Sequence, residues 1–326
     1  MEPAVKPIIY GYPLSAFTWK VWWYLWLRGI PYDDCLQPTI SPRPDLIAIG
    51  VNHRRVPIMA IGKDVYCDSR LILAKLEELY PDNRIGPKTP SDAGICKLLE
   101  SWSGDGGVII NVTKVYPFWD LEEFKDKDFL EDRRKLLGVD LTFEYMQGER
   151  PHGVQHLRQA FEMLETTFLA DDRKWILGSD EPTLADIQGV WPLHWVAVNP
   201  HMLSGLGLPK EYISEKQFPN TFAWIKRFDK EVEKRRSQCP IPSVLEGKIA
   251  SDRTLNSSAP TESTAVSNDL LGLKTGDKVE VFPTDYASDH KDEGHLVGLT
   301  MTEVVICNSK GLHLHFPRWN FRIEKL

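Results

Sequence analysis

No two of the five cysteines, Cys35, Cys67, Cys96, Cys239 and Cys307, are spaced as CxxC, and their number is odd. A disulfide framework and a thiolate metal centre are thereby excluded, and reduced thiols in a cytoplasmic setting are expected. Long apolar runs are missing too. The most intense, Val21 to Leu27, falls far short of the roughly 20 residues that span a bilayer, so no membrane segment is expected. The start, MEPAVKP, lacks the basic region of a secretory leader. An excess of positive charge is also absent. Against 39 Lys and Arg stand 46 Asp and Glu, a net charge of −7, so no global field favours nucleic acid or an acidic membrane. What remains is apolar matter, 42% of 326 residues with 10% aromatic, enough for two or three domains with cores and too much for a disordered chain. There is no internal repeat.

Residues 7 to 80 alternate strand and helix signals. Pro7 to Tyr10 reads as a strand and Ser15 to Arg28 as a helix stopped by Gly29. Tyr32 to Leu36 reads as a strand and Pro42 to Ile49 as a short helical turn. Val56 to Ile61 and Asp64 to Tyr66 flank Gly62-Lys63 as a hairpin, and Ser69 to Tyr80 is a helix ended by Pro81. From Ser91 to Ser237 the period is helical, with helices expected over Gly94 to Val115, Phe129 to Met146, Val154 to Leu169, Thr183 to Val198 and Phe218 to Arg236. In "PTLADI", Thr183 and Asp186 make a capping box with Asp in place of Glu. Residues 237 to 269, rich in Pro, Ser, Thr and Asn, read as a linker or surface strap. Beyond them "DKVEVF", "EVVIC" and "LHLHF" alternate as strands of a small all-β module, 270 to 326.

Trp19, Trp22, Trp23 and Trp26 share one face of the first helix, and Val21, Tyr24 and Leu25 surround it. A helix apolar nearly all round is buried between layers, so the tryptophans are core. Other residues carry chemistry. Ser15 sits at a helix N-terminus, where an anion is stabilised, or it simply caps that helix. In "RRVPIMAIGKDVYCDSR", Pro57 begins a strand, and a cis Val56–Pro57 bond would turn the Val56 backbone toward an extended peptide. Asp68-Ser69 opens the next helix without a Glu or Gln three residues on, so it is no full capping box. Ser69 and the helix amides suit a carboxylate, and Asp68 suits an amine. No GxSxG surrounds Ser15, which argues against a serine triad.

Ser15, then "VP" followed by "CDS", then "PTLADI" far downstream, resemble in order and spacing the cytosolic glutathione transferases, over roughly residues 7 to 236. The resemblance implies an α/β thioredoxin-like glutathione-binding domain over 5 to 85 and an all-α transferase domain for the acceptor substrate over 91 to 236, followed by the small all-β module. Residue by residue it implies that Ser15 contacts the glutathione sulfur and that Val56, beside cis Pro57, pairs the cysteinyl backbone. Asp68 and Ser69 would hold the γ-glutamyl end, and Arg54 or Arg55, with Arg55 preferred, the glycyl carboxylate. Ser15 and Thr18 occupy the positions of the CxxC of thioredoxins, so cysteine-type thiol transfer is disfavoured. Tyr12, Phe17, Tyr116, Phe118 and Trp119 are expected to line the acceptor pocket between the domains.

The tail departs from the two-domain pattern. His313 and His315 lie on one face of a strand, but no third metal ligand is evident, and no metal is expected. Phe316, Arg318, Trp319, Phe321 and Arg322 interleave aromatic and basic groups, yet residues 269 to 326 hold 7 Lys and Arg against 9 Asp and Glu, not a nucleic-acid footprint. A β extension of this kind resembles longer fungal-type transferases of specialised metabolism, and the family also admits a homodimer. The expected activity is addition of glutathione, as cosubstrate, to an electrophilic small molecule. A second reading is a glutathione-assisted isomerisation or elimination, and a third is a non-catalytic binding or assembly module on the same fold.

Overall fold

Four successive buried residues form strand β1 (Ile8–Gly11), and the chain turns at once into helix α1 (Ala16–Arg28). The computed structural model describes residues 5–105, 107–116, 121–198, 208–258, 266 and 269–326. Ser15 caps α1, its Oγ accepting the Thr18 N–H at 3.2 Å, and Gly29 ends it at φ 64°. Gly11 allows the tight turn between the two. A Cβ there would lie 2.5 Å from Thr18 Cγ2, so a side chain would push α1 off the sheet. Strand β2 (Asp33–Leu36) pairs parallel to β1, helix α2 (Pro44–Ala48) follows, and strands β3 (Ile58–Ile61) and β4 (Asp64–Cys67) form the expected hairpin, with β3 antiparallel to β1. Helix α3 (Ser69–Leu79) completes a thioredoxin-like unit.

The helical region holds α4 (Pro90–Gly104), α5 (Val108–Val115), α6 (Lys127–Leu137), α7 (Phe143–Met163), α8 (Leu184–Ala197) and α9 (Pro219–Arg236). Two expected helices are broken. Gly94 to Val115 divides at the Asp105 cap, within a glycine-rich Gly-Asp-Gly-Gly stretch, and Phe129 to Met146 divides at Gly138, φ 74°. Apolar periodicity runs through both breaks, which the glycines alone betray. Helix α1 lies between the sheet and α8 and α9, and all of it except Phe17 is buried. The tryptophans are core, as their spacing implies. Three of their N–H groups are satisfied, by Asp34 at 2.8 Å (Trp22), the Tyr32 hydroxyl at 3.1 Å (Trp26) and the Pro13 carbonyl at 2.7 Å (Trp19).

The tail is not a separate layer. Strands β6 (Lys278–Pro283), β7 (Asp292–Leu299), β8 (Glu303–Cys307), β9 (His313–Pro317) and β10 (Phe321–Lys325) continue the first sheet, and with the short β5 (Ser243–Val244) they give, among the described residues, one ten-stranded sheet of order β10-β6-β7-β8-β9-β4-β3-β1-β2-β5. The seam is parallel pairing of β9 on β4, with Asp64 opposite His313 and Tyr66 opposite His315. The β4 edge would otherwise leave its N–H and C=O groups open to another chain. Alternation in a sequence signals a strand but not its partner, so the continuity could not be read from it. Within the segment expected as linker or strap, residues 243–255 carry two elements. Strand β5 (Ser243–Val244) pairs with β2, and helix α10 (Gly247–Leu255) packs on α2, with Arg253 Nη1 2.7 Å from Asp33. A second apolar core joins Ile8, Tyr10, Ile58 and Val65 of the first strands to Val281, Leu296, Leu314, Phe316 and Ile323 of the last.

Candidate active site

A cavity of about 550 Å³ opens where the first unit, the helices and the tail meet. Three separated segments of the first unit reach it, bringing Tyr12, Ser15, Phe17, Arg55, Val56, Pro57, Asp68 and Ser69 to one wall. The cap geometry of Ser15 uses an oxygen lone pair and leaves its hydroxyl proton to donate. Val56–Pro57 is cis, and among the described residues no hydrogen bond reaches the Val56 amide or carbonyl. Asp68 caps α3, accepting the Arg70 N–H at 2.8 Å, and holds φ 76° with ψ 132°. A non-glycine residue there costs about 1–3 kcal/mol, a strain that concentrates at ligand sites. Ser69, 4% exposed, starts the helix beside it.

Other expected wall residues stand elsewhere. Tyr116 is 1% exposed and stacks on Trp195, so it backs the wall while Trp195 faces the cavity. Phe118 and Trp119 lie outside the described residues. Phe17 touches Trp191 at a ring separation of 4.5 Å, and Ile109, Ile110, Phe124 and Phe129 add an apolar side. Arg55 faces the cavity but is ion-paired to Asp285 of the tail, and Arg54 is paired to buried Asp132 at 2.8 Å.

The tail reaches the cavity as well. Asp285, Tyr286 and Asn320 line the cavity. Arg55 donates to the Tyr286 carbonyl, and Asp105 accepts from Arg70 (2.8 Å), Trp319 (2.8 Å) and Asn320 (2.9 Å). Phe316 and Phe321 are buried, whereas Trp319 stays exposed and is held by that hydrogen bond.

In the sequence Lys20 is masked by the tryptophans around it in α1. It is 3% exposed, lines the cavity, and sets its ammonium 5.0 Å from the Trp191 ring centre. Of the cavity's basic side chains, Arg54, Arg55, Arg70, Lys114 and Arg133 all have carboxylate partners, whereas Lys20 and Arg43 have none among the described residues. Burial pushes the Lys20 amine down to about 8, against the pull of Glu100 and Asp68. A lysine whose folded pKa lies below its unfolded value opposes folding at neutral pH, and the penalty lifts as pH rises from about 8 toward 10.5. Wild type should therefore gain about 2 kcal/mol relative to Lys20→Met between neutral pH and about pH 9.5 in urea unfolding. The difference isolates Lys20, since the buried thiols, pushed up by burial, titrate in both proteins. Parallel stability curves would place the ammonium in a solvated setting.

Comparison with known proteins accords with this geometry. Residues 9–84 match the family model "Glutathione S-transferase, N-terminal domain", and residues 112–237 match "Domain of unknown function (DUF7962)". The chain is 23% identical over 239 residues to Glutathione S-transferase U1 of Arabidopsis thaliana, covering 73% of this chain and 90% of that protein. It is 27% identical over 159 residues to a glutathione S-transferase of Triticum aestivum, covering 45% and 72% respectively. The crystal structure of a GST-like protein from Pseudomonas syringae aligns with a TM-score of 0.72 and 21% identity over 98% of this chain and 100% of that one, so the shared fold takes in the C-terminal strands. The chain is thus glutathione S-transferase-like, with a thioredoxin-like N-terminal domain of that kind.

Proposed function

We propose that this glutathione S-transferase-like chain binds glutathione along Ser15, Val56-Pro57 and Asp68-Ser69 and presents its thiolate to an apolar electrophile. The supporting observation is the convergence of those three segments on one cavity that also has an apolar side. Each suits one part of an extended tripeptide. The Val56 backbone offers a peptide donor and acceptor. Asp68 offers a carboxylate to an amine, and Ser69 with the α3 amides offers donors to a carboxylate. Lys20 and Arg43 leave the wall cationic, which suits an anionic ligand. Arg55 meets the glycyl carboxylate only by sharing its guanidinium with Asp285.

The chemistry asks little more. A free thiol has a pKa of roughly 8.5 and is mostly protonated at neutral pH. In the proposed role the Ser15 hydroxyl donates to the sulfur, the α1 N-terminus favours negative charge, and the cavity aligns the thiolate with its acceptor away from water. The acceptor would lie against Phe17, Ile109, Phe124 and Trp195. The five unpaired cysteines suit the cytosolic setting included in this reading, and a specialised metabolite as acceptor and pairing of two chains complete it.

Calorimetric titration with glutathione tests the binding, and a product assay with a dinitrochlorobenzene-type acceptor separates conjugation from a module that only binds. Asp68→Asn keeps the cap and tolerates the positive φ, and Ser69→Ala removes one hydroxyl. Each should weaken glutathione about 10- to 100-fold, the value of a charge-assisted hydrogen bond of about 1.5–3 kcal/mol. Unchanged affinity in both would return these residues to capping alone.

A further inference from the structure

Where β9 meets β4, two imidazoles and a carboxylate share one spot. Asp64 Oδ1 is 2.9 Å from His315 Nε2 and 3.9 Å from His313 Nδ1, and the three donor atoms lie within 4.8 Å of one another. The third ligand missing from the sequence is Asp64, 251 residues from His315 in the chain. None of the three lines the cavity. We propose that Asp64, His313 and His315 bind one Zn²⁺, which fastens the C-terminal strands to the thioredoxin-like sheet.

Three observations carry this. First, the donor set of two nitrogens and one oxygen suits Zn²⁺, which takes His and Asp ligands in tetrahedral sites. Second, bonds of about 2.0–2.1 Å in that geometry place donor atoms about 3.3 Å apart. The separations of 2.9 and 3.9 Å bracket this value, so small side-chain shifts close the site. Third, His315 is already oriented as metal-bound histidines are. Its far nitrogen, Nδ1, is 2.8 Å from Glu303 Oε1, and Glu303 is itself fixed by Lys75 at 3.3 Å. A carboxylate on the second ring nitrogen sets the ring's direction and raises its basicity toward a metal. Asp64 and His315 are buried, and His313, at 15% side-chain exposure, borders the solvent side where a water takes the fourth position. On binding, zinc replaces the proton between His315 and Asp64, which passes to solvent.

The test uses the full chain, freed of metal by a chelator and titrated with zinc chloride in a calorimeter, with melting temperature as second readout. Wild type should take up one equivalent and melt higher with zinc. His313→Ala should lose stoichiometric uptake and the thermal shift while keeping its circular dichroism spectrum. His313→Gln serves the same purpose should the alanine variant fail to fold. Glu303→Gln should bind zinc about 10- to 100-fold more weakly. The proposal is overturned if wild type takes up no equivalent of zinc, or if the folded His313 variant binds it as tightly. Either result would leave the cluster a metal-free clamp of His315 between two carboxylates.

Discussion

Ser15→Ala is expected to slow conjugation at pH 7 by about 10- to 100-fold while leaving glutathione affinity nearly unchanged. A charge-assisted hydrogen bond to a thiolate is worth about 1.5–3 kcal/mol, which is about one to two units on the bound thiol's pKa. Below that pKa each unit removes nine-tenths of the reactive thiolate. The loss should shrink as pH rises past about 8.5, where the thiol ionises unaided. The same substitution removes the cap on the Thr18 N–H, so folding stability should fall by about 1 kcal/mol. A pH-rate profile checks the claim, together with a direct titration of the bound thiol. An identical thiol pKa in both proteins would remove Ser15 from the chemistry and leave it as a cap.

The largest stability effect is expected far from the cavity. Asp186 is fully buried and accepts four hydrogen bonds: from the Ile176 and Thr183 amides and the Thr183 hydroxyl at 2.8 Å each, and from Trp224 Nε1 at 2.9 Å. It thereby ties the start of α8 to α9 and to the preceding loop. Asp186→Ala would leave several buried donors without an acceptor at about 1–3 kcal/mol each, partly relieved by relaxation and water, so a net loss of about 3–5 kcal/mol is expected. Asp186→Asn keeps one acceptor oxygen and should lose less. Urea unfolding of both variants reads this directly, and a loss under about 1 kcal/mol in the alanine variant would mean that the donors find other partners.

Local chemistry was legible where it lies close in sequence. The Ser15 cap, the Thr183–Asp186 box, the buried tryptophan helix and the β3–β4 hairpin are all written in residues a few positions apart. Periodicity located the helical region but ran through the breaks before Val108 and at Gly138. What stayed hidden depends on long-range pairing. Tyr116 is aromatic and near the cavity, but only packing decides that Trp195 faces inward and Tyr116 behind it. Arg55 reads as a free cation until Asp285, 230 residues on, is beside it. Lys20 is a single cation in a run of tryptophans, and only packing shows that it meets α8 at the cavity. His313 and His315 lack a third ligand until β9 lies along β4.

The continuous sheet also bears on how the protein is made. Its strands are synthesised in an order that leaves β4 at an open edge until β9 is added, and Ile8 and Val65 share their core with Ile323 of β10. A growing chain therefore carries a bare strand edge and an uncovered apolar face until β9 and β10 have been made. A product cut short before β9 keeps both exposed, the marks of an aggregation-prone intermediate. Strands β9 and β10 act as a seal: once they are in place, the chain hides what it displayed before.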